Sequence, residues 1–371
     1  AWSLARALRL GFGEVVLVSC CPIQNYPLGR KVFFCDAEFE EGGISGFLLG
    51  FVNILFLKHL TRLFSCLLKV PKLISRYKVR WLFVHGTHSP FLIFGFFARL
   101  FGVRLIVVIT DPPGLAIPSD NYLVRALKRL DAFLLGLLLA RSDGVIALAP
   151  QLATRLAPHR PALIFPGILS SRTCAYVAQS KMERKDDCPF TIIYAGGLNK
   201  AYGVDRLIDA VLSIRDVPVR IKFFGHGDQE MRIRALAEAT DTKVLYGGFV
   251  DDDVLIPELQ AASLLINPRP ASQDFAAMSF PSKLIEYLAM NRPVLTTRIP
   301  SIPPNFSEHF LFIDDESVEG IRSAILSVIE TSPSELRSRA LRGQVFIFSE
   351  VSERAVGIRI ADFVRSGLES K

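Results

Sequence analysis

The chain has 371 residues, half of them apolar, and a formal net charge of +7 at neutral pH. This length exceeds what one compact core usually holds, and the apolar content excludes disordered and fibrous proteins, so two folded domains are expected. The six cysteines show no C-x-x-C spacing, which argues against a zinc site and a secreted disulfide framework and favours a reduced, cytosolic compartment.

The positive charge is concentrated in the first half of the chain. Residues 1–170 carry 19 Lys and Arg against 9 Asp and Glu, whereas the remainder carries 24 against 27. Such asymmetry suggests that the first half meets an anionic partner, either nucleic acid or a lipid surface.

The first elements are helix-like AWSLARALRL, a turn at residues 11–13 and strand-like EVVLVSC. An α/β domain normally opens with a strand and a glycine loop. The order here therefore leads us to expect a first domain that lacks its opening strand.

Residues 46–78 alternate apolar clusters with lysines and arginines, and their longest uncharged stretch stops at Leu57. That stretch is too short to span a bilayer, which takes about 20 apolar residues. A helix with large apolar side chains and basic residues on its other face can lie among anionic lipid headgroups, which favours lipid over nucleic acid. A core helix with solvated lysines is the alternative, and residues 90–100 either extend this surface or form a buried helix.

Ten short apolar runs alternate with helical stretches along the chain. They are EVVLVS, WLFVHG, RLIVVIT, GVIALA and ALIFPG in the first half, then FTIIYAGG, VRIKFFGHG, KVLYGG, SLLINP and PVLTTR. Nearly continuous apolar strands separated by helices are typical of parallel sheets covered on both faces. We therefore predict two doubly wound domains, joined by a polar, charged linker at residues 170–187, with the ligand in the cleft between them.

Glycines follow three strands of the second half, in YAGGLNKAYG, FFGHGDQE and LYGGF. Glycines at strand ends let the backbone approach a phosphate, and a following helix offers free N–H groups to an anion. Each motif alone is weak evidence for an anion-binding site, and Gly225 and Gly227 also suit a plain tight turn.

SFPSKLIEYLAMNRPVL, residues 279–295, predicts a short amphipathic helix that begins at Pro281 and ends with Asn291 in the left-handed cap position. Ser282, Lys283 and Glu286 should share its exposed face. There the hydroxyl, the ammonium and the free N–H groups could bind a diphosphate, and the carboxylate could accept hydrogen bonds from a sugar's vicinal hydroxyls. An ordinary surface helix with a Lys–Glu pair is the alternative.

Four segments in this order and spacing resemble the donor-binding half of the retaining family 4 glycosyltransferases with the GT-B fold: YAGGLNKAYGVDRLIDAV, FFGHGDQE, LLINPRP and SFPSKLIEYLAMNRPVL. The likeness covers most of residues 80–345 and is strongest in FPSK-x-x-E-Y-L-A, which resembles the group that builds bacterial capsular polysaccharides and exopolysaccharides. It implies two Rossmann-like domains facing a cleft. The expected division is an acceptor-binding domain at 1–169, the linker at 170–187, a nucleotide-sugar-binding domain at 188–345, and a C-terminal helix at 346–371 that packs toward the first domain.

The resemblance also implies roles for particular residues. Glu286 matches the second glutamate of the family's E-x7-E motif, while Met278 stands in place of the first, as is common in the FPSK group. The residues implied to contact the donor are Gly196, Gly197, Lys200, Gly225, Gly227, Arg269, Ser282, Lys283 and Glu286. Lys200 lies two residues before the family's usual lysine position. The first domain of the family commonly has a histidine–aspartate pair after one strand. Asp111 retains the aspartate of that pair, whereas Thr110 replaces the histidine.

The expected reaction breaks the bond between a sugar and a nucleoside diphosphate. Fixed N–H groups with Lys200, Lys283 and Arg269 would stabilise the leaving phosphate without a metal or a cofactor. Acceptor contacts are expected from the first domain, at His85, His88 and Asp111, and Lys283, Glu286 and Asp111 are the candidate catalytic residues.

The run DDDV at 251–254 suggests metal binding, but helix capping explains it more simply. The leading hypothesis is thus a peripheral membrane enzyme on the inner face of the cell membrane. It would transfer a sugar from a UDP- or GDP-sugar to a lipid-linked or polysaccharide acceptor. The alternative is an inactive or truncated glycosyltransferase-like subunit that acts as a binding partner.

Overall fold

A computed structural model describes residues 2–55, 57–87, 89–110, 122–179, 189–239, 243–272 and 276–368. The strands are β1 Val16–Ser19, β2 Phe33–Phe34, β3 Ala37–Glu41, β4 Ile44–Leu48, β5 Phe51–Val52, β6 Trp81–His85, β7 Arg104–Ile109, β8 Gly144–Ala147, β9 Ala162–Ile164, β10 Phe190–Ala195, β11 Val219–Phe224, β12 Val244–Gly248, β13 Leu264–Asn267, β14 Val294–Thr297 and β15 Leu311–Ile313. The helices are α1 Trp2–Phe12, α2 Leu57–Arg76, α3 Ser89–Ala98, α4 Tyr122–Leu139, α5 Pro150–Leu156, α6 Ser171–Gln179, α7 Val204–Ser213, α8 Glu230–Glu238, α9 Asp252–Ala261, α10 Lys283–Ala289, α11 Pro304–Ser307, α12 Val318–Glu330, α13 Pro333–Val351 and α14 Glu353–Leu368.

The chain forms two compact units. Unit 1 comprises Ala1–Phe165 with Glu353–Lys371, and unit 2 comprises Pro166–Ser352. Each unit has its own buried apolar core, as expected for a chain of this length.

Unit 2 is built on one six-stranded parallel sheet with the order β12-β11-β10-β13-β14-β15. Its central strands are buried on both faces: every residue of β13 and β14 is buried. Helices cover both faces of a sheet of this kind, which is why its strands lack the alternation of a half-exposed strand. The core between the sheet and α7 and α12 includes Leu207, Phe223 and Ile325.

Unit 1 contains two separate larger sheets. A parallel sheet has the order β6-β7-β8-β9, and a mixed sheet has the order β1-β4-β3. A small antiparallel pair joins β2 to β5. The strands β3 and β4 form a hairpin whose turn residues Gly42 and Gly43 both have positive φ, a conformation that glycine adopts without strain.

The last helix, α14, packs against the first, α1, within unit 1. The two helices approach closely at Gly11 and Gly357, where a Cβ on Gly11 would lie 2.3 Å from the Gly357 carbonyl oxygen. Arg6 adds an ion pair to the buried Glu353 at 2.8 Å. The two glycines therefore let the backbones of the two ends of the chain come into contact.

All ten predicted strands are present, at β1, β6, β7, β8, β9, β10, β11, β12, β13 and β14. Four short strands between residues 33 and 52, and β15, were not predicted. The expectation of one helical segment from residue 46 is corrected at its start, because residues 46–52 lie in or between β4 and β5 and the helix begins at Leu57. Residues 171–179 of the expected linker form α6, and the rest of that segment lies outside the described residues.

Candidate functional site

The sheet of unit 2 changes direction of winding beside β10. From β10 the chain adds β11 and β12 on one side, then crosses to the other side and adds β13, β14 and β15. Loops that follow β10 and β13 diverge at such a switch point, and they leave a crevice at the carboxyl ends of the strands. The described parts of these loops are residues 196–203, 268–272 and 276–282, which contain most of the predicted donor residues.

The glycine loops after β10 and β11 interlock through their backbones. A Cβ on Gly225 would lie 1.9 Å from the Gly196 carbonyl oxygen, and one on Gly227 would lie 2.3 Å from the Leu198 backbone. Leu198 N donates to the His226 carbonyl at 2.8 Å. Gly225 also has a φ of 125°, so only glycine satisfies both the backbone conformation and the contact. These glycines first serve to bring the two loops together.

Gly197 and Lys200 occupy the same loop in different surroundings. The hydroxyl of Tyr194 donates to the Gly197 carbonyl at 2.8 Å, and a Cβ on Gly197 would lie 2.9 Å from the Tyr202 ring. Lys200 places its ammonium 3.9 Å from the Asp205 carboxylate, with 74% of its side chain exposed. Its charge is therefore available at the loop surface.

Arg269 follows β13 and is buried, with 8% exposure. Its guanidinium lies 5.8 Å from the centroid of the Tyr202 ring, and its carbonyl oxygen accepts a hydrogen bond from the Thr297 hydroxyl. Burial lowers the pKa of Arg269 from its ordinary value, yet a guanidinium stays protonated at physiological pH. A buried positive charge is thus held beside Tyr202, between the end of β13 and the glycine loop that follows β10.

The helix α10 carries the predicted ion pair. Lys283 Nζ lies 2.8 Å from Glu286 Oε2, both side chains are about one-third exposed, and Ser282 is exposed beside them. Leu284, Ile285 and Leu288 are buried as predicted.

The C-terminal end of α10 agrees with the prediction, and its N-terminal end does not. Asn291 has a φ of 55°, so it adopts the predicted left-handed cap conformation. The prediction that the helix begins at Pro281 is wrong by two residues. Its first bonds span three residues, from Leu284 N to the Pro281 carbonyl and from Ile285 N to the Ser282 carbonyl, so the regular helix begins at Lys283. Seven helical residues also provide a weaker dipole than the prediction assumed.

Tyr287 joins α10 to the end of β10, a contact that sequence reasoning missed. Its hydroxyl accepts from the Ala195 N–H at 2.7 Å and donates to the Ala195 carbonyl at 3.2 Å. Tyr287 is fully buried, and burial raises the pKa of its hydroxyl, so it remains a donor. Because Tyr287 follows Glu286 and Ala195 precedes Gly196, this contact fixes the carboxylate relative to the glycine loop. A tyrosine within a buried stripe was the available signal, since a buried Tyr hydroxyl usually has a partner.

A second group, near the ends of β11 and β12, was also missed. The ring of His226 stacks on Phe249 with centroids 5.1 Å apart, and His226 Nδ1 lies 2.8 Å from Glu230 Oε2. Glu230 also accepts hydrogen bonds from Arg234 at 2.8 and 3.0 Å. The His226 and Arg234 hydrogen bonds lower the pKa of Glu230 to about 2. This group is largely exposed and keeps α8 attached to the Gly225 loop.

The candidate acceptor residues lie in unit 1. His85 is the exposed last residue of β6. His88 and Asp111 lie outside the described residues, and so does Cys188. The other five cysteines are free thiols. Thr110 directly follows β7.

The three aspartates at 251–253 open α9, as predicted. Asp252 and Asp253 lie in its first turn, where negative charge is favourable, but the Asp251 side chain makes no capping hydrogen bond. Among the described residues, no three His, Cys, Asp or Glu side chains are grouped so that they could hold a metal ion.

In α2, the exposed side chains are mostly apolar and two of the basic ones point inward. Lys58 is buried and donates to the Ile23 carbonyl and to Asn25 Oδ1, while Arg62 donates to the Cys21 carbonyl and lies 4.3 Å from the centroid of the Phe51 ring. We define the α2 apolar face as Leu57, Leu60, Phe64, Leu67 and Leu68, which are 36–67% exposed. The inward Lys58 and Arg62 and the exposed apolar face depart from a core helix with solvated lysines, whereas Lys72 and Arg76 are exposed as in such a helix. In the described part of the chain, no helix is long and apolar enough to span a bilayer.

The comparisons with known proteins agree with this fold. Residues 189–331 match the family model described as Glycosyl transferases group 1. That range runs from β10 through α12 and contains all the predicted donor residues. A search of curated proteins finds no match.

Three solved structures illustrate the structural likeness. Sucrose-phosphate synthase from Thermosynechococcus elongatus is 14% identical, with a TM-score of 0.68 over 99% of this chain and 92% of that one. An Escherichia coli structure described as trehalose-6-phosphate bound with UDP-2-fluoro glucose is 13% identical, with a TM-score of 0.66 over 100% and 96%. Anabaena HepE in complex with UDP is 16% identical, with a TM-score of 0.60 over 85% of each chain. The predicted fold, two Rossmann-like α/β domains of the GT-B class, is therefore confirmed.

Proposed function

We propose that the chain is a glycosyltransferase that transfers a hexose from a UDP- or GDP-sugar to a lipid-linked or polysaccharide acceptor, with retention of configuration and without a metal ion. The observation that carries this proposal is the family-model match over residues 189–331, which spans the glycine loops, Arg269 and α10. The UDP and UDP-2-fluoro glucose bound to two similar structures support a nucleotide-sugar donor. Synthesis of capsular polysaccharide or exopolysaccharide is the context proposed from the FPSK motif.

The donor's leaving group sets the electrostatic requirement of the site. As the glycosidic bond breaks, the nucleoside diphosphate gains negative charge and the sugar becomes positively charged. In the proposed mechanism, Lys283, Arg269 and Lys200 stabilise the diphosphate, together with the N–H groups of the glycine loop at Gly196 and Gly197 and the Ser282 hydroxyl. Charges that are fixed before the reaction stabilise a transition state most effectively, because they need no reorganisation.

Glu286 is proposed to accept hydrogen bonds from the ribose hydroxyls. In the free protein its carboxylate contacts the Lys283 ammonium at 2.8 Å. When the donor binds, the diphosphate would share the Lys283 charge while the ribose hydroxyls donate to the carboxylate. The exposed ion pair thus exchanges weak solvent-screened contacts for charge-assisted hydrogen bonds to one ligand.

The acceptor is proposed to meet unit 1 through His85, His88 and Asp111, with Asp111 as the candidate catalytic group of that unit. An acidic or imidazole side chain near the attacking hydroxyl could position it or accept its proton. No nucleic acid and no further cofactor are required by this mechanism.

Thermal unfolding with a panel of UDP- and GDP-sugars tests donor binding. A ligand that binds only the folded state stabilises it by about 2.7 kcal/mol at 100 times its Kd, which corresponds to a melting-temperature increase of several degrees. An assay for released nucleoside diphosphate then distinguishes an enzyme from an inactive binding subunit, since only the enzyme hydrolyses or transfers the sugar. If no UDP- or GDP-sugar changes the melting temperature, the proposed function is wrong.

Association with the inner face of the cell membrane is the second part of the proposal. The α2 apolar face is exposed, and so are Phe97 on α3, which packs against α2, and Phe133 on α4, which packs against α3. Residues 57–141 contain thirteen Lys and Arg against three Asp and no Glu, and two of the thirteen, Lys58 and Arg62, are turned inward. An amphipathic helix with this surplus of positive charge is suited to a bilayer of anionic lipids.

Vesicle flotation tests this association. The double substitution Phe64→Glu with Leu68→Glu should lower binding to vesicles of phosphatidylglycerol and phosphatidylcholine at least about tenfold, because it removes two apolar side chains from the lipid boundary. Val345→Glu is the matched control, since Val345 is 62% exposed on α13 of unit 2. Equal binding by the double variant and the wild type would contradict membrane docking through α2.

A further inference from the structure

One carboxylate, that of Glu316 in the loop after β15, joins this loop to the loop that follows β13. Its Oε1 accepts from the Ala271 N–H at 2.6 Å, although the two residues are 45 positions apart in the sequence. Pro270 has no N–H, so Ala271 offers the first backbone donor after Arg269. Glu316 therefore holds the segment that contains Arg269 by the first donor on its C-terminal side.

The turn that presents Glu316 is itself fixed by hydrogen bonds. The Asp315 carboxylate accepts from the Ser317 N–H at 2.9 Å and from the Ser317 hydroxyl at 2.7 Å. That hydroxyl also caps α12, because it accepts from the Gly320 N–H at 3.0 Å. Arg206, in the first turn of α7, donates to the Glu316 carbonyl at 2.7 Å. The Glu316 side chain thus starts from a backbone that two helices hold in place.

Two further contacts hold the segment after β13. The Pro268 carbonyl lies against the glycine loop, where a Cβ on Gly203 would be only 2.4 Å from it. The Arg269 carbonyl accepts from the hydroxyl of Thr297, which is fully buried. The bond from Ala271 adds an anchor on the other side of Arg269, and its loss would free that side of the segment.

The position of the Arg269 charge depends on this backbone. The side chain is 8% exposed, and its guanidinium lies 5.8 Å from the centroid of the Tyr202 ring. A packed side chain follows its backbone, because protein interiors are close-packed. A charge stabilises a transition state best when it is fixed before the reaction, and a displacement of about 1 Å can lower a rate about 100-fold.

We propose that Glu316 is a positioning residue for sugar transfer: its carboxylate holds the Ala271 N–H and thereby keeps the Arg269 guanidinium where the leaving diphosphate gains its charge. This inference rests on the proposed function, which gives Arg269 its role toward the diphosphate. Glu316 acts through Arg269 and needs no contact with the donor. Its role requires an acceptor oxygen at the place of Oε1 more than a negative charge, because its partner is a backbone N–H.

Steady-state transfer by two variants of Glu316 tests the proposal. Glu316→Ala removes the acceptor oxygen and should lower kcat/KM about 10- to 100-fold, mainly through kcat, because Arg269 stabilises developing charge. Glu316→Gln keeps an acceptor oxygen and should remain within about threefold of the wild type. Glu319→Ala is the matched control. It removes a 71% exposed carboxylate from the first turn of α12 and should leave transfer unchanged.

A double-mutant cycle separates positioning from general support of the fold. Because Glu316 acts through Arg269, Glu316→Ala should lower kcat/KM no more than about twofold in the Arg269→Gln background. A purely structural role would give the same loss in both backgrounds.

Hydrogen–deuterium exchange measures the anchoring without any donor. The Ala271 amide should exchange at least about tenfold faster in Glu316→Ala than in the wild type, because its acceptor is gone. Glu316→Gln should exchange close to the wild-type rate. Unchanged exchange in β14 would show that the variants are folded.

Three results would overturn the proposal. The first is wild-type kcat/KM in Glu316→Ala, the second is an equal loss in the Arg269→Gln background, and the third is unchanged exchange at Ala271. A wild-type protein that binds and uses no UDP- or GDP-sugar would refute the proposed function, and this inference with it. An active wild type with an equally active Glu316→Ala variant would refute this inference alone.

Discussion

The two units have the same class of architecture but differ in the number of their sheets and in their net charge. Unit 2 has a single six-stranded sheet and carries 20 Lys and Arg against 24 Asp and Glu. Unit 1 has its larger strands in two sheets around a cavity and carries 23 Lys and Arg against 12 Asp and Glu. Under the proposed function the two units have different roles, in which unit 2 binds the nucleotide-sugar and unit 1 meets the acceptor and the lipid surface.

The strongest test of this division is removal of one charge from unit 2. Lys283→Gln should lower kcat/KM by about 100- to 1000-fold, as loss of a preorganised group that stabilises developing charge typically does. Steady-state transfer assays measure it. Folding stability should change by less than about 0.5 kcal/mol, because Lys283 forms an exposed pair at i,i+3.

Two controls sharpen this comparison. Arg322→Gln breaks an ion pair with the same i,i+3 spacing on α12, at 2.9 Å, and should leave transfer unchanged. Lys72→Gln removes an exposed charge from α2 in unit 1 and should leave donor binding unchanged. If Lys72→Gln abolished donor binding and Lys283→Gln did not, the roles of the units would be reversed.

Substitution of a loop glycine should break the compact packing of unit 2. In Gly225→Ala the new methyl group would lie 1.9 Å from the Gly196 carbonyl oxygen at a φ of 125°, so we expect a loss of ~3 kcal/mol or more. Gly248→Ala also has a positive φ, 80°, but its methyl group would meet nothing within 4 Å, so its cost should be about 1 kcal/mol. Urea unfolding measures both, and equal costs would mean that the loops do not interlock.

Tyr287→Phe should have an intermediate effect. It removes a hydroxyl that bonds both backbone groups of Ala195, and leaving buried groups unpaired costs about 1–3 kcal/mol. Tyr246→Phe, which removes a bond to the Gly225 carbonyl in a less buried position, should cost less. Donor affinity should fall with Tyr287→Phe as well, and a variant that loses stability with unchanged affinity would show that the contact does not position Glu286.

The smallest expected effect concerns pH. Burial lowers the pKa of His309, which packs 4.4 Å from the centroid of the Phe346 ring. The unfolded chain therefore takes up a proton first as pH falls, so the stability of unit 2 should decrease as pH falls below about 6.5.

His309→Gln has no titrating group at this position, so its stability should depend less on pH than that of the wild type between pH 7 and 5.5. Urea unfolding at several pH values measures the slope. Identical slopes for the variant and the wild type would contradict this origin of the acid sensitivity.

The sequence predicted the regular parts of both units because apolar runs of strand length are a local signal. The ten strands and the left-handed Asn291 cap follow from such patterns. The short strands β2 to β5 were missed because they are only two to five residues long, and β3 is in addition largely exposed. The GG turn of the β3–β4 hairpin was the available signal.

The candidate site was predicted in its composition but not in its connections. The Lys283–Glu286 pair follows from helical spacing, whereas the contact between Tyr287 and Ala195 joins residues 92 positions apart. The inward orientation of Lys58 and Arg62 could likewise not be predicted from the sequence, because it depends on the backbone carbonyls of Ile23 and Cys21 in a loop distant in sequence.

The contact between Tyr287 and Ala195 should restrict substitutions at residue 287 more than at residue 195. At residue 195 only the main chain takes part, so any side chain small enough for the buried space preserves the contact. At residue 287 the phenolic oxygen is indispensable, because no other standard side chain places a hydroxyl at that reach. Sequence drift should therefore be tolerated on the strand and restricted on the helix.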